Sequence, residues 1–324
     1  MKFPTERRLT YSTGAISNAA FSDVGKVCIP KDLSIVNRRN YTHTDNKGVP
    51  LIYKVAVHWI PSGLDGSGYT TLDPSSADTR TTVKFLTCPN NWVAKQAGIK
   101  WHQARLASLK RAGIKMKSLG AYAKTIRYNW EEAATTFLSP YDGDGNAYVG
   151  GTWDTTKVFN AIDEDGFTLR LLGSMDDEDG GVTTTDINAL GSYLQSRHTV
   201  LPDSNLEIEN VPADKSMLLA TLQGEDPDQD DTAYIRQNVR GEQDNPPYDE
   251  IIPSDTANDI TEPSEAARIV MYPSQNSGVI STVFEAPYGM FAVLAANRDP
   301  GDNSGITDDM SFSVTVTDIY PMLG

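Results

Sequence analysis

The run Leu51–Trp59 places Leu51, Tyr53, Val55, Val57 and Trp59 on one side and Lys54 and His58 on the other. Strict alternation of this kind fits only an extended chain with one face buried, because successive side chains of a strand point to opposite faces. Near the C-terminus Phe312, Val314 and Val316 alternate with Ser313, Thr315 and Thr317, and Phe167, Leu169 and Leu171 alternate with Thr168 and Arg170. All eleven of these apolar residues are expected in the core. Shorter strand signals occur at Lys26–Ile29, Val83–Leu86, Thr152–Phe159, Ser216–Leu222, Ile280–Phe284 and Met290–Leu294. The last two flank Pro287-Tyr288-Gly289 and read as one bent strand or as two.

This pattern predicts a mostly β chain: a single eight-stranded antiparallel jelly-roll sandwich spanning residues 1–324, with long loop insertions and one or two helices. A double jelly roll, the alternative, needs about sixteen strands, more than the pattern supplies. Trp92 to Ala112 is the strongest helical segment, capped by Asn90 or Asn91 and ended by Gly113, with Val93, Ala97, Trp101 and Ala104 as its apolar stripe. Gly98 weakens that helix. A second helix is expected over Asp186–Gln195, with Ile187, Leu190 and Leu194 on one side. Two acidic loops stand out, Ser174–Thr185 and an insertion at about 225–265 that opens with Asp226-Pro227-Asp228-Gln229-Asp230-Asp231. Loops this long carry function more often than they merely connect.

Charge divides the chain sharply. The net charge is −15, yet residues 1–130 hold 20 Lys/Arg against 7 Asp/Glu, and the remainder holds 8 against 36. No acid occurs from Thr79 to Trp130. A basic helical insertion at about 90–118 therefore offers Lys95, Lys100, Arg105, Lys110, Arg111, Lys115 and Lys117 as candidate nucleic-acid contacts. Phosphate binding needs many cations and little positional precision, since each neutralised phosphate releases counterions. Trp92, Trp101, Tyr122, Tyr128 and Trp130 lie among these cations and suit either base stacking or core packing. The competing account pairs the basic helix with acids of its own subunit.

Motifs of catalysis are not found. The four histidines, His43, His58, His102 and His198, show no metal-ligand spacing, and neither a nucleophile elbow nor a phosphate-binding loop occurs. No enzyme, cofactor or metal is expected. Asp142-Gly143-Asp144-Gly145-Asn146 spaces its oxygens like the start of a calcium loop, but Ala147 stands where glycine is required and Trp153 where the final Glu would be, so a turn is expected. Cys28 and Cys88 read as buried reduced thiols. The first residues carry no signal-peptide core and no apolar run is long enough to span a bilayer, so folding in a cytoplasm without membrane insertion is expected.

Three stretches carry a resemblance: Lys31-Asp32-Leu33-Ser34-Ile35-Val36-Asn37-Arg38-Arg39-Asn40-Tyr41, Pro89-Asn90-Asn91-Trp92-Val93 leading to Trp101, and Ala286-Pro287-Tyr288-Gly289-Met290-Phe291 followed by Phe312–Thr317. Together they resemble capsid proteins of small circular single-stranded DNA viruses. The resemblance implies a jelly-roll subunit that self-assembles in the host cell into an icosahedral virion. Its partners would be copies of itself, a genome of single-stranded DNA and a host receptor. Many members open with a long Arg-rich arm, and here there are only Lys2, Arg7 and Arg8, which shifts genome contact to the 79–130 surface or suggests a phage-like shell filled by another route. The alternative function is a surface or secreted β-sandwich that binds carbohydrate.

Overall fold

The computed structural model describes residues 6–13, 21–60, 62–65, 68–71, 80–120, 124–130, 137–150, 157–159, 166–170, 186–190, 193, 263–271, 280–298 and 310–323. In chain order the elements begin with β1 (Arg8–Thr13), β2 (Ser22–Cys28), α1 (Ile29–Asn37) and β3 (Leu51–Ile60). A short hairpin of β4 (Ser62–Asp65) and β5 (Gly68–Thr71) follows, then β6 (Arg80–Thr87) and α2 (Trp92–Arg111). Next come three small strands, β7 (Lys157–Phe159), β8 (Gly166–Arg170) and β9 (Asp186–Asn188). The chain closes with β10 (Ser264–Met271), β11 (Ile280–Pro287), β12 (Met290–Arg298) and β13 (Met310–Pro321).

Eight of these strands form two antiparallel sheets, ordered β1-β13-β3-β11 and β10-β6-β12-β2. The pairing is nested. The first framework strand pairs with the last, the second with the seventh (β12), the third with the sixth (β11) and the fourth (β6) with the fifth (β10). The pairs β13–β3 and β12–β6 then join neighbouring arms. This is a long hairpin rolled once on itself, the jelly roll, and it matches the predicted single sandwich. Tyr288 and Gly289, both in left-handed backbone (φ 58° and 70°), turn the corner that carries the chain from β11 in one sheet to β12 in the other. The Pro287–Gly289 signal therefore separates two strands.

Between the sheets lies a buried aromatic core. Trp59 stacks on Phe312 with centroids 5.1 Å apart, Tyr11 stacks on Phe312 from β1, and Phe85 meets Trp59, Phe284 and Phe291. Leu51, Tyr53, Val55, Val57, Trp59, Phe312, Val314 and Val316 are all buried, as their alternation requires. Strand β8, which carries Phe167 and Leu169, instead belongs to the separate β7-β8-β9 sheet, so these two are not sandwich residues as expected; Leu171 lies outside the described residues.

A second core covers the opposite face of the β6/β12/β2 sheet. Cys28, Cys88, Met290 and Ala292 there meet Val93, Ala94, Ala97, Trp101 and Ala104 of α2, together with Ile126, Tyr128, Trp130, Leu190 and Tyr193. Both cysteines are buried and free, as expected. The expected helix over 186–195 is corrected at its start. Residues 186–188 pair in parallel with Thr168–Arg170 as strand, and helical geometry begins only at Ala189. Among the framework strands β1 and β10 escaped the pattern, as did the short β4 and β5 outside the framework. The 225–265 insertion gives way to β10 at Ser264, and the rest of it, like Ser174–Thr185 and Ser216–Leu222, lies outside the described residues. No described helix is long and apolar enough to cross a membrane.

Candidate nucleic-acid interface

Helix α2 starts where Asn91 Oδ1 accepts the Ala94 N–H at 2.9 Å, satisfying one of the donors a helix start leaves open. It ends in a glycine cap. Gly113 is left-handed (φ 72°), its N–H donates to the Lys110 carbonyl and the Ile114 N–H reaches back to Leu109. Lys110 and Arg111 in the last turn complement the negative end of the helix dipole. The predicted stripe of Val93, Ala97, Trp101 and Ala104 is buried.

Gly98, which weakens the helix in isolation, is explained by packing. A Cβ there would sit 2.7 Å from the Tyr288 hydroxyl and 2.9 Å from Pro50 Cγ. That hydroxyl cannot easily move, because it donates to the Ala94 carbonyl at 2.6 Å. Gly98→Ala should therefore destabilise the protein by up to about 2 kcal/mol: overpacking of roughly 1–3 kcal/mol is set against a helix-propensity gain of about 1. Urea unfolding checks this, and a stabilised variant would show that α2 sits further from the corner.

The structure separates the predicted contacts into three groups. Lys110, Arg111, Lys115 and Lys117 are exposed and clustered, on the last turn of α2 and the 3₁₀ turn Met116–Ser118 that follows. Lys110, Lys115 and Lys117 form no ion pair among the described residues. Lys95 and Lys100 are half-exposed further up the helix, Lys95 about 22 Å from the cluster at 1.5 Å per residue. Arg105 points inward: burial draws its pKa down, and its neighbours are His102 and Tyr128. Its spacing explains this, since it follows Trp101 by four residues on the buried face. Trp101, Tyr128 and Trp130 are core residues, so packing rather than base stacking accounts for them. Trp92 is half-exposed, and Tyr122 lies outside the described residues.

Beneath this surface is a buried polar cluster that no sequence spacing announced. The Tyr288 carbonyl bonds His43 Nδ1 at 2.7 Å, and His43 Nε2 lies 3.9 Å from Cys28 Sγ. Burial pushes the thiol up to about 12 and the imidazole down to about 4. Neither is thereby in the charged state that a thiolate–imidazolium pair requires. Asp32 of α1 is also buried, accepts the Tyr11 hydroxyl at 2.7 Å, and is pushed up to about 7 by burial.

The Asp142 loop is a turn, as expected. Asp142 Oδ1 accepts the N–H groups of Asp144 and Asn146 at 2.9 and 2.8 Å, and these backbone bonds, Asn146's foremost, hold its carboxyl below the usual range. Among the described residues no cluster of His, Cys, Asp or Glu could hold a metal ion. Comparison with known protein families, characterised proteins and solved structures returns no match.

Proposed function

We propose that the chain is a subunit of a self-assembling viral shell and that the exposed cations at the end of α2 contact the phosphates of an enclosed genome. The observation that carries this is the jelly roll itself, with an interior filled by stacked aromatic rings. A jelly roll that encloses a ligand needs a cavity between its sheets, whereas one that works as a building block needs only a rigid body and a decorated surface. The uneven charge of the chain supports the second part: the basic segment lacks acids over fifty consecutive positions, and the four clustered cations project from a structured helix end rather than a tail.

Electron microscopy and light scattering of the purified protein, with and without single-stranded DNA, test the proposal. Uniform closed particles are expected; a monomer under all pH and salt conditions, or selective glycan binding by that monomer, overturns it. Replacing Lys110, Arg111, Lys115 and Lys117 together with Gln should reduce the slope of log K against log salt by about 3, at roughly 0.7 per lost phosphate contact on a single strand. Empty particles should still form. An unchanged slope would move the genome contact elsewhere.

A further inference from the structure

A two-sheet sandwich exposes four edge strands, each a template for another strand unless it is blunted. Three of the four are blunted here. The edge of β1 is bridged by Tyr141, whose N–H donates to the Thr10 carbonyl at 2.8 Å, and that of β2 by the segment at Phe137, where the Leu138 N–H donates to Lys26 at 2.8 Å. Strand β10 carries a bulge at Ala266 and an ionic clasp in which Glu265 holds Arg268 at 2.7 Å and Lys84 at 3.7 Å. Although β10 of the other sheet runs close alongside it, strand β11 has no such bridge, bulge or clasp among the described residues. Its register against β3 is unbroken from Ile280 to Pro287, and among the described residues it pairs on that side only. Its outward residues Ser281, Val283 and Glu285 are exposed, Val283 by 56%. An open groove of about 490 Å³ runs beside it, lined also by Lys54, Ser264 and Ala266.

We propose that the edge of β11 pairs with the same strand of a second copy of this chain, antiparallel across a two-fold axis through Val283. The sequence is self-complementary about that residue. Val283 would face its equivalent, covering the exposed valine on each side, and Ser281 would face Glu285 of the second copy. The register within the sheet sets Lys54 beside Glu285 and His58 beside Ser281, so the row across the seam runs Lys54, Glu285, Ser281, His58 without like charges in contact. An axis through Glu285 would oppose two carboxylates, which antiparallel pairs disfavour. Closed symmetric contacts of this isologous kind are the commonest between identical chains. The inference deepens the shell proposal by assigning one subunit contact, but it requires only a pair.

Val283→Cys and Val283→Lys test it in the full chain. Under mild oxidation Val283→Cys should give a covalent two-copy species, the native Cys28 and Cys88 being buried. Val283→Lys should keep the wild-type circular dichroism spectrum and weaken pairing at least tenfold. Absence of the crosslink together with undiminished association of Val283→Lys overturns the edge assignment, and particles formed under those conditions would leave the shell proposal standing. Crosslinked pairs that never close into particles would uphold the edge and overturn the shell. A chain that stays monomeric and uncrosslinked overturns both.

Discussion

Asp32→Asn should change the pH dependence of stability strongly, with a difference from wild type that grows by up to about 4 kcal/mol between pH 4 and pH 8. Asp32 is fully buried, one carboxyl oxygen accepts from Tyr11 and the other has no partner among the described residues. Burial holds the proton on it to about pH 7, against 3.8 ordinarily. Between those values the folded state binds more protons than the unfolded chain, so this group's contribution falls as pH rises and levels off above 7. Each pH unit is worth about 1.4 kcal/mol. His43 slopes the other way. Its ordinary 6.5 is pushed down to about 4 by burial, so its contribution is complete above 6.5 and is lost as pH falls toward 4. The two nearly cancel from pH 4 to 6.5, and each single variant removes one side of that balance. Asp32→Asn should therefore gain on wild type as pH rises. His43→Gln, which keeps a donor for the Tyr288 carbonyl, should gain as pH falls. Urea unfolding of the unassembled subunit at pH 4.5, 6 and 8 decides, and differences that stay constant with pH would mean that neither group titrates as its burial requires.

Trp59→Ala should cost about 3–5 kcal/mol, the usual range for deleting a large buried aromatic. The ring is fully buried, lies parallel to Phe312 and touches Phe85 edge-on, so its loss opens a cavity where strands of both sheets meet. Trp59→Phe provides the control. The indole N–H has no acceptor among the described residues, and an unsatisfied buried donor costs roughly 1–3 kcal/mol, which Phe would recover while keeping most of the packing. The prediction is a large loss for Ala and a small one for Phe, measured by denaturant midpoints. A Trp59→Ala protein within about 1 kcal/mol of wild type would place the ring outside the true core.

What could be read from the sequence follows from how local each signal is. Leu51–Trp59 and Phe312–Val316 announced strands because a face buried along its whole length leaves unbroken alternation. Strand β10 was hidden because the bulge at Ala266 breaks that alternation and because an acidic stretch precedes it. Helix α1 was missed: Pro30 and Asp32 mark its first turn, but no side chain caps it and it spans only nine residues. Asp186–Asn188 was misread because Ile187, Leu190 and Leu194 have helical spacing, whereas the pairing with β8 that makes the first of them strand depends on distant sequence. At the candidate interface the cations were legible as composition, and the inward turn of Arg105 was legible as spacing behind Trp101. The bond from Tyr288 to Ala94 joins residues 194 positions apart, and nothing local encodes it.

The placement of the helical elaboration has a further consequence. Residues 88–263, more than half of the chain, leave and return between adjacent paired residues, Thr87 opposite Ser264, with their hydroxyls 3.3 Å apart. In the unrolled hairpin this is the tip, the one connection that every other strand pair can form without. The roll and its ornament are thus separable in principle: the tip could lengthen, shorten or be exchanged through descent while the eight-strand frame kept its register. Such exchange is limited by what the excursion gives back, since its Phe137–Tyr141 portion shields the edges of β1 and β2. A replacement would have to supply that shield and also the packing that α2 gives to the face of the β6/β12/β2 sheet.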